Sequence, residues 1–224
     1  MTLDLRRGSL IVSLPTNDAT LAQAARDAGA DFLKVHINVQ HLASGTTFGP
    51  LAHERDRLLQ ILAVGLPTGL VPGEETMISP AELPQLRAMG FAFLDAFVDV
   101  LPAYLYEVGL PIIPALPHSI APRYLEQVRA LPGLWVEAAI VAPQEYGQPP
   151  VPDDFAALRI VAAATQKQLI VPTQRAIQPS DLSRYFALPE VTALTIGAVV
   201  TGADPVSLGR TTQAFRRALD QVAA

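Results

Sequence analysis

The 224-residue sequence contains no cysteine. That absence excludes a disulfide framework, thiolate catalysis and zinc held through sulfur, and it is compatible with a reducing cytosol, so a cytoplasmic protein is expected. Charge is scarce as well: 17% of residues are Asp, Glu, Lys or Arg, and the net charge of −5 comes with no lysine or arginine cluster. The chain therefore lacks the electrostatic footprint of a nucleic-acid binder. Long apolar runs are also missing. Val108 to Pro122 is uncharged but broken by four prolines, and it falls short of the roughly 20 apolar residues that cross a bilayer, so no membrane partner is expected. The apolar run after Arg6-Arg7 ends at Leu14-Pro15-Thr16-Asn17, which suits a first strand better than a signal-peptide core.

What the sequence does have is apolar residues, half of the total, grouped in short continuous runs that alternate with helical segments. That alternation is the signature of a parallel sheet with crossover helices, whose strands are buried on both faces. Candidate strands are Leu10–Leu14, Phe32–Asn38, Pro67–Val71, Phe91–Asp95, Pro111–Leu116, Leu134–Ala139, Leu169–Thr173 and Ala193–Gly197. Eight units, with no glycine-rich dinucleotide loop after the first strand, predict closure into a (β/α)₈ TIM barrel of the phosphate-binding type, one α/β domain over residues 1–224. Helix-start chemistry supports the units: Ser79-Pro80-Ala81-Glu82 has capping-box spacing, Asp204-Pro205 pairs a cap with a first-turn proline, and Gln178-Pro179 repeats the proline signal. Gly29, Gly90 and Gly109 stand where helices end before strands. Two prolines resist the scheme, Pro84 one turn inside the third helix and Pro114 within a strand that needs neighbours on both sides.

Barrel enzymes carry their reacting groups at the C-terminal ends of the strands. In the second strand, alternation places Lys34, His36 and Asn38 on one face, a set too costly to bury against the helices, so that face points to the barrel mouth. Asp95 in the fourth strand and Glu137 in the sixth are lone carboxylates in apolar runs; each is a candidate acid or base, or a partner that neutralises Lys34. Lys34, His36, Asp95 and Glu137 are the candidate catalytic set. His118, His41, His53 and the pair Glu74-Glu75 are weaker candidates. After the seventh and eighth strands, Gln174, Arg175, Gly197, Ala198 and Thr201 form a candidate phosphate site, with small residues that let backbone N–H groups approach and an arginine as charged donor. The segment Val39–Pro50, with Ser44-Gly45-Thr46-Thr47, has the make-up of a lid. No spacing motif for a metal is present, and no metal or cofactor is expected.

Several of these segments, in order, resemble the bacterial N-acylmannosamine-6-phosphate 2-epimerase family. The resembling pieces are Gly8-Ser9-Leu10-Ile11-Val12-Ser13, Gly29-Ala30 leading into Lys34 and His36, Thr76-Met77-Ile78-Ser79-Pro80, Leu94-Asp95-Ala96, and Ile196-Gly197-Ala198 through Val200-Thr201 to Pro205. The resemblance implies a phosphate-binding barrel acting on a phosphorylated amino sugar. It breaks at the family's chemistry: Gly69-Leu70-Val71-Pro72 has proline where the family's catalytic lysine stands, and Thr173-Gln174-Arg175 keeps the arginine but lacks the carboxylate of E-G-R. In the last strand Gly202 replaces the family's arginine, with two residues inserted before Pro205.

Three functions follow as expectations. The first is an isomerase or epimerase of a phosphorylated sugar or similar metabolite, with its acid/base pair rebuilt from Lys34, Asp95 or Glu137. The second is a lyase or aldolase that forms a Schiff base on Lys34. The third is a non-catalytic barrel that binds a metabolite. The expected partner is a phosphorylated small molecule, and a homodimer is as open as a monomer.

Overall fold

The computed structural model describes residues 3–222. Eight parallel strands close a barrel in the order β1 (Ser9–Ser13), β2 (Phe32–His36), β5 (Thr68–Val71), β6 (Phe93–Phe97), β7 (Ile112–Ala115), β8 (Trp135–Glu137), β9 (Gln168–Pro172) and β10 (Val191–Ile196), and β10 returns to β1. Each lies on one of the eight expected segments. The chain is a (β/α)₈ TIM barrel. Helices α1 (Ala19–Asp27), α2 (Leu51–Leu62), α3 (Leu83–Met89), α4 (Pro122–Ala130), α5 (Pro152–Thr165), α6 (Leu182–Tyr185), α7 (Ala198–Thr201) and α8 (Pro205–Val222) occupy connections after the strands, supplemented by 3₁₀ turns. None of the described helices is long and apolar enough to cross a membrane.

The cap residues act as their chemistry requires. Asp204 accepts from the Val206 and Ser207 amides at the start of α8 (3.1 and 3.0 Å), and Glu82 accepts from the Ser79 amide (3.0 Å). Both resistant prolines find a place. The third helix begins as a 3₁₀ turn over Pro80–Glu82, so Pro84 falls in the first turn of α3, where its missing N–H breaks no helical bond. Pro114 lies in β7, whose pairing with β8 is reduced to Ala115 opposite Glu137.

Strand alternation separates two cores. Leu10, Val12, Leu33, Val35, Leu94 and Val171 belong to the large core that also takes in the buried helix faces, each burial contributing about 1.5–3 kcal/mol. The opposite parity, Ile11, Phe32, Phe93, Ile113, Ile170 and Ala193, fills the lower barrel together with Leu3 and Leu5, and Trp135 packs against it. Bulk there is balanced by an absence: a Cβ on Gly69 would lie 2.2 Å from the Phe93 ring, so the glycine makes room for that ring.

The segment Val39–Pro50, expected as a loop, contains an antiparallel hairpin, β3 (Val39–His41) paired with β4 (Thr46–Phe48). Its inner residues Val39 and Phe48 form a small core with Val71 of β5. The hairpin escaped the sequence reading because its strands are three residues long and largely polar.

Candidate active site

Four even-numbered positions around the barrel, on β2, β6, β8 and β10, place Lys34, Asp95, Glu137 and Thr195 in one interior layer. Packed barrels ordinarily fill such layers with branched apolar side chains from alternate strands. Here the layer is polar, buried and joined by hydrogen bonds. Lys34 Nζ lies 2.7 and 2.6 Å from the two oxygens of Glu137 and 3.3 Å from Asp95 Oδ2. Thr195 Oγ1 donates to Glu137 Oε2 at 3.3 Å. Thr195 was missed in the sequence, since a threonine in a strand is ordinarily read as β-propensity alone; its parity with Gly197 was the available signal.

Above this layer the inward positions are small: Ser13, Ala115, Ala139 and Gly197, with Val71, Pro172, His36 and Phe97. They leave a cavity of about 540 Å³ at the C-terminal mouth, floored by Lys34, Asp95, Glu137 and Thr195. That volume suits a small metabolite.

The electrostatics of the floor follow from burial and pairing. Burial pushes Asp95 up to about 8, reinforced by the negative Glu137 beside it and only partly offset by Lys34. Burial and Glu137 thus favour the protonated form of Asp95. Burial alone would lower Lys34, but the charges of Asp95 and Glu137 overcome it and hold the ammonium above its ordinary value.

His36 also lines the cavity, 3% exposed, with its ring stacked on Phe48 (centroids 4.8 Å apart) and tilted against His41 (4.7 Å). Burial, with the neighbouring His41 and Lys34, keeps His36 neutral well below its ordinary range. Burial likewise lowers His41 to about 4, and its Nδ1 contacts Ser44 Oγ at 2.8 Å. Asn38, expected on the mouth face of the second strand, lies two residues past β2 with a positive φ of 53°, leads into the hairpin and does not line the cavity. His118 and the Glu74-Glu75 pair line the mouth, whereas His53 is exposed on α2.

The phosphate-site residues divide. Gln174, Gly197 and Ala198 line the cavity. Gln174 is already engaged, accepting from the Val141 amide (3.1 Å) and donating to Tyr146 Oη (2.7 Å), and the Gly197 amide donates to Thr173 Oγ1 (3.0 Å). Arg175 and Thr201 do not reach the cavity lining. The Arg175 guanidinium is bound to Asp154 at the start of α5 and to Glu145, and the buried Thr201 hydroxyl donates to the Gly202 carbonyl (2.9 Å). Among the described residues no arginine lines the cavity, and its β5–β6 side carries Glu74, Glu75 and Asp99. Burial and the charges of Glu75 and Asp99 raise Glu74 from its ordinary value. Among the described residues, no group of three or more His, Asp or Glu is arranged to hold a metal ion.

Fold and site together define a TIM barrel with a charged, hydrogen-bonded floor to its mouth cavity. No protein-family model matches the chain, and no curated protein sequence does. Solved structures do. Phosphoribosyl anthranilate isomerase from Thermus thermophilus superposes with a TM-score of 0.67 at 18% identity, covering 95% of this chain and 98% of its own. Tryptophan synthase from M. tuberculosis, in an aminoacrylate-bound form, gives 0.68 at 15% identity over 96% of this chain and 94% of its own. The tryptophan synthase A-subunit from Pyrococcus furiosus gives 0.65 at 14%, over 95% and 99%. At these identities the likeness establishes the fold.

Proposed function

We propose that the chain is an isomerase or epimerase that moves a proton beside the carbonyl of a small phosphorylated sugar or a similar metabolite. The observation that carries the proposal is the floor of Lys34, Asp95, Glu137 and Thr195 open to the mouth cavity. Proton transfer next to a carbonyl needs a group whose proton comes and goes near the working pH, and a fixed positive group where negative charge develops on oxygen. Asp95, pushed up to about 8, is the first. Lys34, held as an ammonium, is the second. The same ammonium disfavours the Schiff-base reading, which needs a neutral amine. Glu137 and Thr195 position Lys34 and tune Asp95.

A phosphorylated substrate is supported by a structural neighbour whose name is that of an isomerase of a phosphoribosyl compound, and by the resemblance to the N-acylmannosamine-6-phosphate 2-epimerases. Ala198 and Val199, with Ser13 and Thr173 beside them, are the part of the lining fit for an anion, on the side opposite Glu74, Glu75 and Asp99, while the Gly197 amide is held by Thr173. A second reading keeps the proton transfer and drops the phosphate. The absence of arginine from the lining and the three rim carboxylates favour an uncharged or cationic ligand.

The test is turnover of a panel of aldose and ketose phosphates and their dephosphorylated counterparts, followed by NMR with wild type and Asp95→Asn. Interconversion of a phosphorylated member, abolished in Asp95→Asn, is expected. Turnover of the dephosphorylated members alone selects the second reading, and borohydride trapping of Lys34 with cleavage of the substrate overturns both.

A further inference from the structure

We infer that His36 is a fixed hydrogen-bond donor of the cavity, a neutral imidazole that offers Nε2–H to the oxygen of a bound carbonyl or enolate. His36 Nδ1 is completely buried and has no hydrogen-bond partner. A neutral imidazole holds one N–H and one lone pair, and the two nitrogens must divide them. A buried N–H without an acceptor is the costlier of the two to leave unmet, as the rarity of orphaned amide donors beside under-satisfied carbonyls shows. The lone pair is therefore assigned to Nδ1 and the proton to Nε2. The ring lines the cavity, and with Nδ1 sealed, Nε2 is its nitrogen with access to a ligand.

The surroundings fix both the orientation and the charge of the ring. Phe48 stacks on the imidazole at 29° between planes and His41 meets it tilted at 43°, the two hairpin rings themselves only 6.1 Å apart, so the hairpin holds the imidazole by a stack on one face and a tilted contact beside it. The His36 backbone is anchored through Asn17, whose Nδ2 donates to the His36 carbonyl (2.7 Å) and to Glu54 Oε2 (3.0 Å). The titratable neighbours are Lys34 on the same strand and His41 on the hairpin; both oppose an imidazolium. An uncharged donor beside the Lys34 ammonium divides the labour at one oxygen. Lys34 supplies charge and His36 supplies direction. The hairpin thus acts through His36, as a clamp that sets the angle of a donor.

The choice of oxygen rests on the proton-transfer reading above, but the tautomer does not, and the two are measured separately. Long-range ¹H–¹⁵N NMR of the ¹⁵N-histidine-labelled protein reports the protonation of each ring nitrogen, and the His36 signals are assigned by their loss in His36→Gln. A neutral ring at pH 7 with its proton on Nε2 is expected. A proton on Nδ1, or an imidazolium at pH 7, overturns it whatever the protein catalyses. Phosphoglycolohydroxamate, an enediolate mimic, serves as the probe for the second part. The inference expects its saturation to move the His36 Nε2–H resonance and expects His36→Leu to weaken its binding about tenfold, the loss of one hydrogen bond, with His36→Gln, which keeps an N–H, weaker by less. A probe that binds without moving that resonance overturns the donor role while leaving proton transfer by Asp95 intact. Failure of the probe to bind, with the proton on Nε2, counts against the reading of the substrate, and the tautomer result still supports the donor.

Discussion

Arg175 and Asp154 form a two-sided ion pair: Nε lies 3.2 and 3.0 Å from the two carboxylate oxygens and Nη2 lies 2.9 Å from one of them. The pair is largely buried, with side chains 6% and 12% exposed, and Asp154 Oδ2 also accepts from the Val151 amide at the start of α5 (2.8 Å). Arg175 therefore ties the end of β9 to the beginning of α5. Arg175→Ala strands Asp154 and is expected to cost about 3 kcal/mol, a fall in melting temperature of about 6–12 °C at this size. Calorimetry checks the fall. Binding of any ligand, compared well below both melting temperatures, should be unchanged; loss of binding with retained stability would return Arg175 to the anion site.

Burial raises Asp95 most, and Glu137 adds to the rise through its charge and its hydrogen bond. Glu137→Gln removes the like charge and should lower the Asp95 titration midpoint from about 8. Carboxyl ¹³C NMR follows it directly. An unmoved or raised midpoint would show that burial alone governs Asp95.

The same raised carboxyl sets a pH dependence of stability. Unfolded Asp95 ionises near 3.9, whereas the folded group keeps its proton to about 8. Between these values the folded state binds more protons than the unfolded one, so stability declines as pH rises across the window and levels off above it. His36 and His41, both lowered by burial, act with the opposite sign below about pH 6.5, where the unfolded histidines gain protons first. Urea denaturation of Asp95→Asn against wild type isolates the carboxyl: the variant should gain relative stability steadily from about pH 4 to 8.

Gly69→Ala would drive a methyl into the Phe93 ring, 2.2 Å from its nearest atoms. Overpacking of this kind costs about 1–3 kcal/mol. Combining it with Phe93→Leu should cost less than the sum of the two single changes, because the second substitution clears the space that the first fills. Additive losses would mean that Phe93 moves aside freely.

The barrel was legible because its strands are buried on both faces and read as eight short, mainly apolar runs between helical segments; their ends differ from the observed ones by a residue or two. Alternation also brought Lys34, Asp95 and Glu137 to the interior, and the distances show them in one cluster. What the sequence hid was set by partners distant in the chain. Arg175 resembles an anion ligand until Asp154, 21 residues earlier, is found beside it. Nothing local to Thr195 reveals that it completes the layer with Glu137, and the hairpin becomes visible only through the side chains it lays on His36.

Leu3, Leu5, Phe32 and Phe93 seal the barrel beneath the charged floor. The cavity above that floor opens at the C-terminal mouth. A reactant that fills the cavity also shields Asp95 from bulk water, so proton transfer of the proposed kind would return to the product the hydron taken from carbon. In deuterium oxide, converted molecules should therefore retain much of their original hydrogen, and label should appear chiefly through repeated visits to the site.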